Sequence, residues 1–187
     1  VGLLPAGELG GDEELAIGDT EVIATLGLHR LQSGDVTGAV ESLAAVQRRL
    51  APEVDPNLHA ALALASAAAG SLDVAIDAAD EVDAHPRSTY MDRLTAGIAR
   101  GLALGQRGDH AASVAVFDQA RAAADATEDR ISQALVRLAD ALAAPARGTA
   151  DAAERASEAD RRLAELGLSD TGWRQAFSLA LGVSPAA

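Results

Sequence analysis

Residues 98–121 read IARGLALGQRGDHAASVAVFDQAR and contain the features of one helical hairpin. Gly108 and Asp109 interrupt two helical runs, and the second run places Ser113, Phe117 and Ala120 four and three residues apart, as on one side of a helix. Glycine suits the left-handed position that follows a helix, and aspartate can cap the next helix. The stretch therefore predicts two helices joined at Gly108.

The same break occurs four times along the chain. It consists of a glycine and a polar capping residue, at Gly34-Asp35, Gly70-Ser71, Gly108-Asp109 and Gly148-Thr149. Successive glycines are 36, 38 and 40 residues apart. A period of roughly 34–47 residues is typical of stacked pairs of helices. The sequence therefore predicts an α-solenoid of four helical hairpins.

Small residues recur at fixed distances from these glycines. Seven residues before each glycine stand Gly27, Ala63, Gly101 and Ala141. Five residues after each glycine stand Ala39, Ala75, Ser113 and Ala153. Small side chains on facing sides of two helices allow their backbones to approach closely. The pattern predicts tight packing within each hairpin, with the fourth hairpin as the weakest copy.

The breaks divide the chain into a lead-in, four units and a final helix. Residues 1–18 are glycine-rich and acidic, and we expect them to be irregular. The units are expected at 19–52, 56–86, 88–126 and 128–167, with Asp55, Ser88 and Thr127 as candidate helix caps. The final helix is expected at 169–182, where it would cover the exposed core at the end of the solenoid.

Composition supports an all-α fold and excludes several classes of function. Alanine fills 45 of the 187 positions, whereas aromatic residues make up only 2%. This composition favours closely packed helices over a sheet. The net charge of −13 argues against binding to nucleic acid or to an anionic membrane surface. The absence of cysteine excludes disulfides and thiol catalysis.

These repeats resemble the tetratricopeptide (TPR) pattern. The first unit matches at Ile23, Leu26, Gly27, Gly34, Asp35, Ala39, Leu43 and Pro52, and the third at Gly101, Gly108, Asp109, Phe117 and Ala120. Ala63, Gly70, Ala75 and Pro86 form a second, less complete copy. The aromatic positions of the first helix are mostly aliphatic or polar here. The long, alanine-rich units look more like those of large bacterial signal-transduction ATPases and transcriptional regulators.

The resemblance implies a superhelix whose first helices line a concave groove that binds a peptide or a partner helix. We therefore expect a protein-interaction module, the regulatory or scaffold part of a larger bacterial protein. A cytoplasmic location is expected, without membrane insertion. Two alternatives stay open: self-assembly through the final helix, or sensing of a small ligand for an attached domain.

An arginine stripe and an apolar set are the candidates for the groove. Arg93, Arg100, Arg107, Arg130 and Arg137 recur at intervals of seven residues within two of the predicted first helices. They would bind an acidic peptide or a C-terminal carboxylate if they faced the groove. Alternatively, they form a charged face paired with Asp92, Glu128, Asp129 or Asp140. The apolar set is Leu28, Leu31, Leu64, Ile98 and Leu102. These residues would receive apolar side chains of a partner, or they form helix-packing core.

The final helix carries Trp173, Phe177 and Leu181, spaced four residues apart. If the chain self-assembles, this apolar side is the expected contact between subunits to form a homo-oligomer.

No catalytic or metal-binding motif is found in the sequence. The histidines at 29, 59, 85 and 110 never occur three or four residues apart, and the sequence contains no HExxH or GxSxG motif. Zinc binding would need donors that converge from distant repeats. We therefore expect neither enzymatic activity nor a cofactor nor a metal.

Overall fold

The chain is all-helical in the computed structural model, which describes residues 17–50, 55–168 and 172–183. Nine α-helices and one short 3-10 helix, but no strands, occur in these ranges. The helices are α1 (Ile17–Gln32), α2 (Val36–Leu50), α3 (Pro56–Ala68), α4 (Leu72–Ala84), α5 (Tyr90–Arg107), α6 (His110–Asp125), α7 (Arg130–Ala143), α8 (Ala152–Glu165) and α9 (Trp173–Ala180). The all-α class is confirmed. Residues 1–16 of the predicted irregular lead-in lie outside the described residues, whereas Ile17 and Gly18 are helical and begin α1, so the predicted boundary is corrected there.

The four predicted glycine breaks are confirmed. Gly34, Gly70, Gly108 and Gly148 have φ values of +88°, +75°, +89° and +67°, in the left-handed region that glycine enters without strain. After the first of them, Asp35 caps α2, because its Oδ1 accepts a hydrogen bond of 2.9 Å from the backbone N–H of Gly38. Each glycine therefore ends a helical segment and turns the chain back.

The two helices of the first and third hairpins are in very close contact. A Cβ atom at Gly27 would lie 2.7 Å from the side chain of Leu43, and one at Gly101 would lie 2.8 Å from the ring of Phe117. In the third hairpin Ser113 also donates a buried hydrogen bond of 2.8 Å to the carbonyl oxygen of Gly101. Glycine at these positions is thus a packing requirement, as the small-residue pattern predicted.

The hairpins contact one another in chain order. Each first helix (α1, α3, α5, α7) contacts its own second helix (α2, α4, α6, α8), and α1, α3 and α5 each contact the first helix of the next hairpin. The second helices α2, α4 and α6 also contact the first helix that follows. The buried core between them consists mainly of alanine and leucine. We call α1, α3, α5 and α7 the first-helix row.

Two predicted caps are displaced by one or two residues. Thr89, rather than Ser88, caps α5 in a reciprocal capping box with Asp92. Asp129, rather than Thr127, caps α7 and accepts from the backbone N–H groups of Ile131 and Ser132. These residues make two cap hydrogen bonds each, which explains why they displace the predicted caps.

The fourth hairpin contains a buried ion-pair cluster. Asp140 of α7 is 3% exposed and pairs with Arg121 of α6, Arg147 of the 3-10 helix Pro145–Arg147, and Arg155 of α8. The Arg147 guanidinium also lies 5.6 Å from the centre of the Phe117 ring. This cluster links the third and fourth hairpins, and the extra 3-10 helix accounts for the longest repeat spacing.

The close approach in the third hairpin makes a stability prediction for two glycines of the same helix. Gly101→Ala should lower the free energy of unfolding by about 1–2 kcal/mol, because the clash with Phe117 outweighs the gain in helix propensity. Gly97→Ala should raise it by about 0.5–1 kcal/mol, since its Cβ would meet Ala120 at an ordinary 3.8 Å. Urea unfolding of both variants checks this, and equal effects would contradict the packing.

Candidate binding site

The terminal helix α9 lies across the first-helix row. It contacts α1, α3, α5 and α7, that is, one helix from every hairpin. It was expected to cover the end of the last hairpin, and this expectation is wrong. It also reaches α8 through the ion pair between Arg174 and Asp160. Most of the residues that α9 contacts thus belong to the face on which a groove was predicted.

Both ends of α9 fit closely against the row. At the start, Gly172 has a φ of +73°, and a Cβ there would lie 2.6 Å from the carbonyl oxygen of Gln32 in α1. At the end, a Leu181 methyl lies 3.7 Å from the position that a Cβ of Gly105 in α5 would take. The helix therefore runs from the C-terminal end of α1 toward the C-terminal end of α5.

The apolar side of α9 faces its own chain. Phe177 is 1% exposed, and Trp173 and Leu181 are half-buried and pack against the core. The Trp173 and Phe177 rings have centroids 5.4 Å apart. These residues were predicted as a contact between subunits. The structure corrects this interpretation, because the burial of Phe177 within the chain leaves little of that side free for a second copy.

The apolar residues predicted to line an open groove are largely covered. Leu31, Leu64 and Leu102 are fully buried, Ile98 is 4% exposed and Leu28 is half-buried. All five belong to the core or pack against it. The sequence left two interpretations open, a groove lining and helix-packing core, and this burial agrees with the core. The prediction that these residues line an open groove is therefore corrected.

An open cleft remains between α1 and α9. Its volume is about 410 Å³, and it is lined by Thr25, Leu26, Leu28, His29, Gln32 and Trp173. Leu26 is 45% exposed there. No residue of this cleft except Leu28 and Trp173 was singled out as a site in the sequence, because the cleft exists only where α9 returns to α1.

The arginine stripe pairs with acidic residues, most of them on second helices. Arg100 of α5 lies 2.6 Å from Asp80 and 2.8 Å from Asp83 of α4. The next hairpin repeats the arrangement, since Arg137 of α7 lies 2.7 Å from Asp125 of α6. Arg107 pairs with Asp73 and Asp109, and Arg130 pairs with Glu165, through side chains that are more exposed than those of Arg100 and Arg137.

The charged-face interpretation therefore describes these four arginines better than the groove interpretation. Their partners differ from the acidic residues expected from the sequence. The fifth member of the stripe, Arg93, is exposed at the start of α5. The pairs of Arg100 and Arg137 join a first helix to the preceding hairpin, so these side chains strengthen the hairpin stack.

The described residues contain no group of three or more His, Asp, Glu or Cys side chains that is placed to hold a metal ion. His29 and His110 are exposed, while His59 of α3 is half-buried. Burial lowers the pKa of His59 below its ordinary value of 6.5, against the opposing effect of Glu81 and with a smaller contribution from His85. The folded chain therefore favours the neutral imidazole.

Within the described residues, no helix combines the length and the apolar character that crossing a bilayer requires.

His59 gives a prediction for the pH dependence of stability. The unfolded chain binds a proton near pH 6.5, whereas the folded chain binds it only at lower pH. The free energy of unfolding should therefore fall as the pH drops through about 6.5, and His59→Gln should reduce this fall. Urea unfolding at about pH 7.5 and 5.5 measures it, with exposed His110→Gln as the control. An identical pH dependence in wild type and His59→Gln would contradict the assignment.

Comparison of the chain with protein families, curated proteins and solved structures finds no significant match.

Proposed function

We propose that this chain is a protein-interaction module: a TPR-like superhelix of four hairpins that binds an amphipathic partner helix along its first-helix row. The role is binding rather than catalysis. The observation that supports it most directly is the position of α9, which contacts all four first helices. In this proposal, α9 occupies the binding surface as an intramolecular ligand.

The side chains of α9 indicate what such a partner presents. Trp173, Phe177 and Leu181 lie on one side of the helix and pack against the core of the row. Helices that bind in grooves use anchors at this spacing. The first-helix row is already formed by hairpin packing, so binding orders few residues of the module.

The charge of the chain favours a partner helix with basic residues beside its apolar anchors. The net charge is −13, and Arg174, next to Trp173, pairs with Asp160 of α8. A cationic helix would be attracted over a distance by this charge, with a rate that falls as salt is added.

Competition with α9 sets the threshold for binding. A tethered segment acts at an effective concentration on the order of millimolar. A partner therefore has to displace α9, and it binds only if it buries more apolar surface than α9 or is locally abundant. Any change that loosens α9 should raise the affinity for the partner.

The direct test uses Phe177→Asp in the full chain and a labelled peptide with the sequence of residues 169–183. The substitution places a charge in a side chain that is 1% exposed, so α9 should leave the row. The peptide should then bind saturably, and at least tenfold more tightly than to wild type. Fluorescence anisotropy measures binding. Before the peptide is added, the emission of Trp173, the single tryptophan of the chain, reports release of α9.

Val183→Asp is the matched control, because Val183 follows α9 and is 56% exposed. This variant should bind the peptide no better than wild type does. A peptide that carries Asp in place of Phe177 should not bind to any form. Equal binding to all three chains, or no binding to a Phe177→Asp chain that retains its helical circular dichroism, would contradict the proposal. Phe177→Ala repeats the test if the aspartate variant loses helicity.

A further inference from the structure

Helix α1 carries an exposed strip on its outer side that contains two large apolar side chains. Val22 is 58% exposed and Leu26 is 45% exposed, and the neighbouring Thr25 and His29 are exposed as well. We call these four residues the outer strip of α1. The open cleft beside Trp173 adjoins the strip, since Thr25, Leu26 and His29 also line it.

The repeat register shows what normally faces this side of a first helix. Leu26 is eight residues before Gly34, and the equivalent residue before Gly108 is Arg100. Arg100 reaches Asp80 and Asp83 of α4, the second helix of the preceding hairpin. The position eight residues before the turn glycine therefore faces the preceding second helix.

In the second hairpin, apolar residues occupy the positions that correspond to Val22 and Leu26 of α1. These residues are Leu58 and Leu62, which lie twelve and eight residues before the turn glycine of their hairpin. Their side chains are 0% and 3% exposed. Helix α2 of the preceding hairpin contacts α3, which carries both. Two apolar positions that are buried in α3 are therefore exposed in α1.

We propose that the outer strip of α1 binds an amphipathic helix of a partner protein, in the position that α2 has on α3. In α3, α5 and α7 this side of the helix contacts the preceding second helix, namely α2, α4 and α6. The partner helix would make the corresponding contact with α1. The strip adjoins α9 at Trp173, but Val22 and the rest of this side of α1 face away from the contacts that α9 makes with α3, α5 and α7, so the strip is tested with α9 in place and Phe177 unchanged.

The strip defines the chemistry of that helix. An apolar leucine replaces the Arg100 of the third hairpin, so the partner should present apolar residues there instead of the two aspartates of α4. Helix α2 has this character, because it buries Ala39, Leu43 and Val46 and also packs the half-buried Val40 and Ala44 on the core. The adjoining cleft, about 410 Å³ in volume, has room for one large side chain of the partner.

A second copy of this chain offers a poor complement. Its last second helix, α8, would be the one to continue the series, but the exposed side of α8 is charged, with Glu154, Asp160 and Arg161. Its buried residues are only Ala159 and Leu163, whereas α2 buries the three apolar side chains of Ala39, Leu43 and Val46. The face of α8 therefore cannot make the apolar contact with α1 that α2 makes with α3.

The test uses the full chain and a stapled, fluorescein-labelled peptide with the sequence of α2, residues 36–50, as the probe. Fluorescence anisotropy should show saturable binding to wild type. Leu26→Glu should weaken it at least tenfold, because a charge then faces the apolar stripe. Val74→Glu on α4 is the matched control, since Val74 is 51% exposed, and it should leave binding unchanged.

Three results would overturn the proposal. The first is no binding to wild type, or equal binding to both variants. The second is self-association of wild type in light scattering that Leu26→Glu abolishes, which would assign the strip to a second copy. The third is a melting temperature that falls in Leu26→Glu but not in Val74→Glu, without peptide binding to wild type. That result would assign the strip to residues 1–16 of the same chain.

Discussion

The close approach of the two helices within the first and third hairpins is the constraint on which the rest of the structure depends. At Gly27 and Gly101 there is no room for a methyl group, because Leu43 and Phe117 occupy it. Helices held this close leave space mainly for alanine between them, which explains why alanine dominates both the sequence and the core. The four left-handed glycines turn the chain back, and the resulting hairpins contact one another in chain order.

The first-helix row is a product of that packing, and α9 covers it. Phe177 is as well buried as any core residue, although α9 is only eight residues long. The chain therefore places a helix of its own on the surface that its repeats create. In the proposed function, binding is an exchange of one helix for another, so the affinity for a partner depends on how firmly α9 is held.

The hairpins could be predicted from the sequence because their signals are local. A glycine such as Gly108 marks a turn through its own backbone preference, and Asp55 caps α3 as expected from its position before Pro56. Contacts between distant segments leave no such signal. The spacing of Trp173 and Phe177 predicts an apolar side of a helix, but it does not say which surface covers that side.

The charged residues illustrate the same limit. Seven-residue spacing places Arg100 and Arg107 on one stripe, but the rotation of α5 decides whether the stripe faces the row or the preceding hairpin. The buried Asp140 takes its partners from three separate elements, of which only the 3-10 helix with Arg147 is close to it in sequence. Burial of a carboxylate among three arginines follows from the stacking of hairpins and has no motif of its own.

Nuclear Overhauser effects between α9 and the row test the central claim most directly. With the leucine and alanine methyl groups assigned in the full chain, the account predicts a cross-peak between a Leu181 methyl and Gly105 Hα, since that methyl lies 3.7 Å from where a Gly105 Cβ would be. Cross-peaks from the Trp173 indole to Leu28 should accompany it, because both line the cleft. Absence of both sets, with a solvent-exposed tryptophan, would contradict the placement of α9 and the function inferred from it.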